Sequence, residues 1–406
     1  MAVPESGYPK KDEIIHASDV GKTFVKVDAY DFPTDLWTRH TKELVRRNDE
    51  TVDALIYVDG FLDSSSPGSL LMTVGTAKAH LQTLANEHHT HTSSDFTELN
   101  DWRIRTDASD TNDLVFEDRY HDKWYLAPDP KLGNATIYSV CYGNGKFVAV
   151  GAGGQMAYSA DAVNWTRVSD PKFESATAFG VCYGNGKFVA VGQYGTMTYS
   201  SDAINWTKVT TSTFGQSSVY GICYGNGKFI AVGIGGRLAY SSDGISWTKA
   251  SDSRFGTAHI RGVCYGNGRF VTVGNDGKMT YSDVGTDWIL VPDSKFGTTY
   301  IYSVCYGNGK FIAVGDSGKI AYSSDAVNWT LVSNSAFGTS HISSICYGNG
   351  KFVAVGNDGK IARSSNGVSW TLVTDHEFGS SSIQCVCYGD GKLVAGNNGG
   401  KISYTT

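Results

Sequence analysis

The chain has 406 residues, 48 of them glycine, with 18% charged residues and a formal net charge of −6. This reads as a turn-rich, soluble β protein: no apolar run approaches the roughly 18 residues of a membrane-spanning helix, and the opening Met-Ala-Val-Pro-Glu lacks a signal-peptide core. Residues 1–119 carry 12 Lys+Arg against 22 Asp+Glu, and residues 120–406 carry 22 against 18 without a basic run, so nucleic acid is a poor partner and membrane insertion is not expected.

Residues 1–119 do not repeat. Residues 34–53, with Leu36, Leu44 and Val45 among charges, read as a helix. Ser64-Ser-Ser-Pro-Gly-Ser69 is a loop, and residues 76–87, with Ala79, Leu81 and Leu84 crowding one side, read as a second helix. Trp102-Arg-Ile-Arg105 and Leu114-Val-Phe-Glu117 alternate like a hairpin across a polar stretch. A small mixed α/β region is the expectation here.

From residue 120 a period takes over. Cys-Tyr-Gly-Asn-Gly begins at Cys141, Cys182, Cys223, Cys264, Cys305 and Cys346, and returns as Cys-Tyr-Gly-Asp-Gly at Cys387. Tryptophan keeps the same 41-residue beat at Trp124, Trp165, Trp206, Trp247, Trp288, Trp329 and Trp370. A fixed period of about 40 residues marks a repeat architecture. Within one unit, Ile137–Tyr142, Phe147–Val150, Gln155–Ser159 and Trp165–Val168 are β-prone runs, and Asn144-Gly145 between the first two is a strong hairpin signal. Four strands repeated seven times read as an all-β, seven-bladed β-propeller. The last repeat stops after its third strand and the first begins one strand early. The Trp124 segment is therefore expected to complete the last blade and close the ring. The seven periodic cysteines read as small apolar fillers, not as disulfides or metal ligands.

The turn before each tryptophan reads Ser159-Ala-Asp161-Ala-Val-Asn-Trp165, and similarly at Asp202, Asp243, Asp325 and Asn366; the fourth places Val284 where Asp belongs. This resembles the Asp-box of sialidase-like propellers, one residue short of its usual form. The residues themselves argue for turn chemistry, since Asp and Ser side chains bond turn amides.

His89-Thr-His91-Thr-Ser-Ser-Asp95-Phe-Thr-Glu-Leu99 resembles a pattern of bacteriophage tail-fibre proteins, with Phe96 where an Ile is usual. The resemblance implies a virion tail protein made in the host cytoplasm. Residues 1–119 would dock on other tail or baseplate proteins and hold a homotrimer. It also implies a metal ion on the trimer axis at His89 and His91. The bland alternative for those two residues is a solvated linker.

Comparison among the seven units separates frame from individuality. Variation collects at the entry to the first strand and at the turn between the second and third strands, two connections that share one face of the ring. The entry carries Tyr138, Phe179, Tyr220, Arg261 and Tyr302, preceded by His259, Tyr300 and His341. The turn carries Asn275, Asp276, Asn357 and Asp358, with Gln193-Tyr194 and Asp316-Ser317 among the others. Aromatic, amide and acidic groups suit saccharides, so these residues are the candidate ligand site for a host-surface glycan or protein receptor, without catalysis. Loop drift is the plain alternative. At the level of whole function, a cellular propeller lectin or assembly scaffold stands as alternative. A sialidase-like hydrolase is disfavoured by a propeller with six Arg and only Glu174 and Glu377 as Glu.

Overall fold

The computed structural model describes residues 123–374 and 376–405 in full, and six strand segments before them by backbone. The chain divides between His121 and Asp122. In the first part, Ile14–Ala17, Lys22–Lys26 and Val45–Arg47 form one antiparallel sheet, and Glu98–Leu99, Trp102–Thr106 and Leu114–Asp118 form another. The hairpin read at residues 102–117 is present, with Trp102 opposite Asp118 and Thr106 opposite Leu114. Val45–Arg47 corrects the helix expected over 34–53: it pairs with Lys22–Lys26, and sheet pairing overrides a helical period carried by three apolar residues. The rest of that range, the helix expected over 76–87, and His89 and His91 lie outside the described residues.

From Lys123 the chain builds seven four-stranded antiparallel sheets. In blade 1 the strands are Ile137–Gly143, Lys146–Gly151, Met156–Ser159 and Thr166–Arg167, and the next five blades repeat them. Asn144 and Gly145 take φ of 46° and 71°, the double left-handed turn that lets a two-residue hairpin follow strand twist. The last blade is Ile383–Gly389, Lys392–Asn397, Ile402–Tyr404 and, from the other end of the domain, Tyr125–Leu126. Ser403 faces Leu126, Tyr404 faces Tyr125, and the Ala127 amide donates to the Ile402 carbonyl at 2.9 Å. The ring closes as the truncated last repeat required.

Burial follows the blade outward. The second strands are the driest: Val148, Ala149 and Val150, and their equivalents, are fully buried. Seven apolar clusters hold the ring, each joining two neighbouring blades. Trp124 packs with Val353, Val355 and Phe378 between blades 6 and 7, and Trp165 packs with Val394 and Ile402 between blades 7 and 1. Each tryptophan thus belongs to the joint between blades.

The recurring Cys-Tyr-Gly is also a joint. A Cβ on Gly143 would fall on the ring of Tyr183, on Gly184 on that of Tyr224, and so on until Gly389, whose Cβ would strike Tyr142. Glycine at the end of each innermost strand is the seat for the next blade's tyrosine, and the last seat receives the first blade. The cysteines beside these tyrosines are all free thiols. Burial pushes the Cys346 and Cys385 thiols up to about 12, so they are protonated fillers and not nucleophiles.

Candidate functional site

The two faces of the ring are separated by its hydrogen bonds. On one, the Asn144 side-chain amide donates to the Ser201 carbonyl in the next blade's Asp turn, Asn185 to Ser242, and Asn308 to Ser365. On the other, the turn after the second strand bonds the residue that enters the first: the Ala152 amide donates to the Thr136 carbonyl, and the Gln193 amide to Thr177. The two variable connections therefore share a face, opposite the constant hairpins.

The Asp turns stay on the constant face and act as local staples. The Asp202 carboxylate accepts from the amides of Ile204 and Asn205 at 2.8 Å and from the Ser200 hydroxyl at 2.9 Å, while Trp206 Nε1 donates to the Ala203 carbonyl. The Asn205 amide leads the bonds that hold this carboxyl far below the usual range, and Asp325 is held down the same way by Asn328. Blade 4 departs from the pattern. With Val284 at the Asp place, Trp288 Nε1 is buried without a partner among the described residues.

On the variable face the second residue of each innermost strand lies at the mouth of the ring's centre, at the bulge in the ladder. There the sequence-selected residues meet in an arc. The rings of Tyr138 and Phe179 lie 5.2 Å apart, and those of Phe179 and Tyr220 lie 5.3 Å apart, both edge to face. Arg261 continues the arc: its guanidinium sits 5.5, 5.4 and 5.3 Å from the ring centres of Tyr220, Tyr300 and Tyr302. Its Nε donates to Asn275 Oδ1 at 2.7 Å, which aims the guanidinium along the arc. Tyr302 then packs 4.0 Å from the His341 ring. Ser343 and Gln384 occupy the last two places. The mouth is therefore lopsided, aromatic and cationic over five blades and small and polar over two.

Asp316 fastens the far end. Its Oδ1 lies 2.9 Å from His341 Nδ1, and its Oδ2 accepts from the Tyr302 hydroxyl at 3.3 Å. Burial first, and then the Asp316 carboxylate, push the Tyr302 hydroxyl up to about 12, which keeps it a hydrogen-bond donor rather than a nucleophile. His259 Nδ1 accepts from the Gly235 amide at 3.1 Å, which holds its ring 6.2 Å from that of Tyr220. Asp358 accepts from the Ser340 hydroxyl at 2.8 Å in its own blade. The Asn357 amide donates to the His341 carbonyl at 2.9 Å, which ties that turn to the end of the arc through backbone.

The sequence marked the arc but not its fastening: Asp316 and His341 belong to different blades, and only the fold brings them together. Chemically, the arrangement offers ring faces, one guanidinium without an ion-pair partner among the described residues, and fixed polar groups. Three further arginines are occupied elsewhere. Arg237 bonds the Phe214 carbonyl, Arg254 pairs with Asp252, and Arg269 pairs with Asp283. None of these three is free to join Arg261 around a sialic carboxylate. Among the described residues no group of three His, Cys, Asp or Glu side chains is placed to hold a metal ion.

No family model and no curated protein matches the sequence. Solved structures match the fold. YCF48 bound to D1 peptide aligns with a TM-score of 0.57 at 16% identity, over 70% of this chain and 95% of that one. Virginiamycin B lyase from Staphylococcus aureus aligns at 0.59 and 13%, over 70% and 100%. The WD40 β-propeller domain of Doa1 aligns at 0.56 and 15%, over 70% and 96%. At such identities the likeness is one of fold, and this fold serves both binding proteins and an enzyme.

Proposed function

We propose that this protein is a non-catalytic attachment protein whose propeller engages a host-surface saccharide or receptor through the mouth of its variable face. One observation carries the reading: aromatic rings, a lone guanidinium and a His–Asp pair converge on one side of one face, while the Asp turns and the Asn side-chain bonds recur on the other. The Asp turns, a likeness to sialidases, are spent on turn amides, and the Asp316 carboxylate at the mouth is engaged by Tyr302 and His341.

The assignment to a phage tail fibre draws on the His89–Leu99 pattern. On this reading residues 1–119 dock the protein on the tail and hold it as a trimer, with His89 and His91 as metal ligands. Weak single sites then gain about 10²–10⁴ in avidity from simultaneous contacts. Light scattering that reports a monomer at micromolar concentration would remove this part. A trimer containing no bound metal would remove the metal alone. The second reading is a cellular propeller that assembles protein partners, favoured by the peptide-bound neighbour.

The test is a glycan array printed with bacterial surface saccharides. The full chain is expected to bind a restricted set. Tyr220→Ala/Tyr302→Ala should lose that binding at least tenfold, and Asn144→Ala/Asn185→Ala should keep it. A blank array with capture of a peptide ligand at the same mouth would favour the second reading.

A further inference from the structure

A second site lies outside the mouth, against blade 2. A depression of about 510 Å³ opens between the loop entering that blade, the turn after its second strand, its outer strand and the loop that leads on to blade 3. Three residues that break the repeat line it.

The first is Glu174. Its backbone is left-handed at φ 58°, and the six equivalent positions are Gly133, Gly215, Gly256, Gly297, Gly338 and Gly379, all between 58° and 64°. The second is Tyr194, left-handed at φ 55° and 62% exposed. Its equivalents Gly153, Gly235, Asp276, Ser317 and Asp358 share that backbone, and none carries a ring. Bulky residues avoid this region, and departures of this kind gather at ligand sites. The third is Thr196. In blades 3 to 6 this place holds Arg237, Lys278, Lys319 and Lys360, each reaching across to a Phe carbonyl of the entering loop at 2.9–3.1 Å. Threonine is too short to cross, so the space those cations fill stands open in blade 2.

Lys208 reaches Glu174 at 3.4 Å along the edge, an exposed pair that a ligand can exchange with little loss. The result is an aromatic face raised beside a polar, open cleft that carries a carboxylate, an ammonium, the Gln216 amide and hydroxyls. Its volume falls within the ~300–1,000 Å³ of small-molecule sites.

We infer that this cleft is a saccharide subsite, with a sugar's C–H face stacked on Tyr194 and its hydroxyls bonded to Glu174, Lys208 and Gln216. It stands independently of the mouth arc, since no residue is shared.

Saturation-transfer NMR on the full chain, with the methyl glycosides of glucose, galactose and N-acetylglucosamine as probes, tests this. At least one should bind. Tyr194→Gly and Thr196→Lys restore residues found elsewhere in the repeat; each should weaken binding tenfold or more while leaving Tm unchanged or raised. Tyr220→Ala/Tyr302→Ala should leave this signal intact. Failure of all three probes to bind the parent would overturn the inference. So would reversion variants that bind as the parent does, or a Tyr194→Gly variant whose Tm falls, because the ring would then be packing rather than ligand surface.

Discussion

The two faces of the propeller use one backbone for different ends. On the constant face, the Asn144 bond to Ser201 recurs as Asn185 to Ser242 and Asn308 to Ser365, so three blades are pinned to the next by the same group at the same place, while Lys228 and Arg269 reach the next blade's turn from blades 3 and 4. On the variable face, a contact such as Arg261 among Tyr220, Tyr300 and Tyr302 occurs once. Contacts that repeat support the ring as a whole, and contacts that occur once distinguish one blade from another. Stability and recognition should therefore separate by face under mutation.

The largest loss should come from the joints. Trp124→Ala removes a buried ring from the blade that closes the domain and should cost about 3–5 kcal/mol. Removing the chain through Ala127 should lower Tm further than any internal Trp→Ala, since it also frees an edge strand. Gly266→Ala, which drives a methyl into the Tyr306 ring, should cost about 1–3 kcal/mol. All three are read by thermal unfolding.

The Asp turns come next. Asp202→Ala leaves turn amides and a serine without their acceptor and should cost about 1–2 kcal/mol. Val284→Asp should run the other way, restoring the blade 4 turn with a gain of about 0.5–1.5 kcal/mol. These carboxyls also set an acid limit. Burial works to raise Asp243, but the bonds from Ser246, Ile245 and Ser241 outweigh it and bring the group to about 2. Folded values below unfolded ones mean that the contribution is complete at neutral pH and down to the unfolded carboxylate range near ~4. It then fades as pH falls toward 2. Asp202→Asn should lose less stability over that window than the parent, as Tm against pH would show. An equal loss would mean that the acid effect arises elsewhere.

The smallest effect on stability belongs to the mouth. Arg261→Ala should stay within about 0.5 kcal/mol of the parent while weakening attachment. A large fall in Tm would make the arc part of the frame and erase the contrast between faces.

Much of this was legible in sequence because the period made seven copies of every structural signal. Strand count, hairpin, closure by Trp124 and the division into faces each follow from where units agree, differ or stop. What the copies did not show was contact between units. The glycine in Cys-Tyr-Gly reads as a turn residue, and only the fold reveals the neighbouring tyrosine above it. Asp316 and His341 are 25 residues apart and meet across a blade boundary. Glu174, Tyr194 and Thr196 each break the repeat visibly, but their convergence on one cleft depends on how the entering loop folds over the turn. In residues 1–119 there is one copy of each segment, so Val45–Arg47 was read as helix from a weak pattern and pairs instead as a strand.

The most direct test of the division between faces is a paired measurement of Tm and array binding on two double variants. Tyr220→Ala/Tyr302→Ala should keep the parent's Tm and lose binding; Asn144→Ala/Asn185→Ala should lose Tm and keep binding. Binding lost through the asparagines and retained without the tyrosines would place recognition on the wrong face and contradict the account.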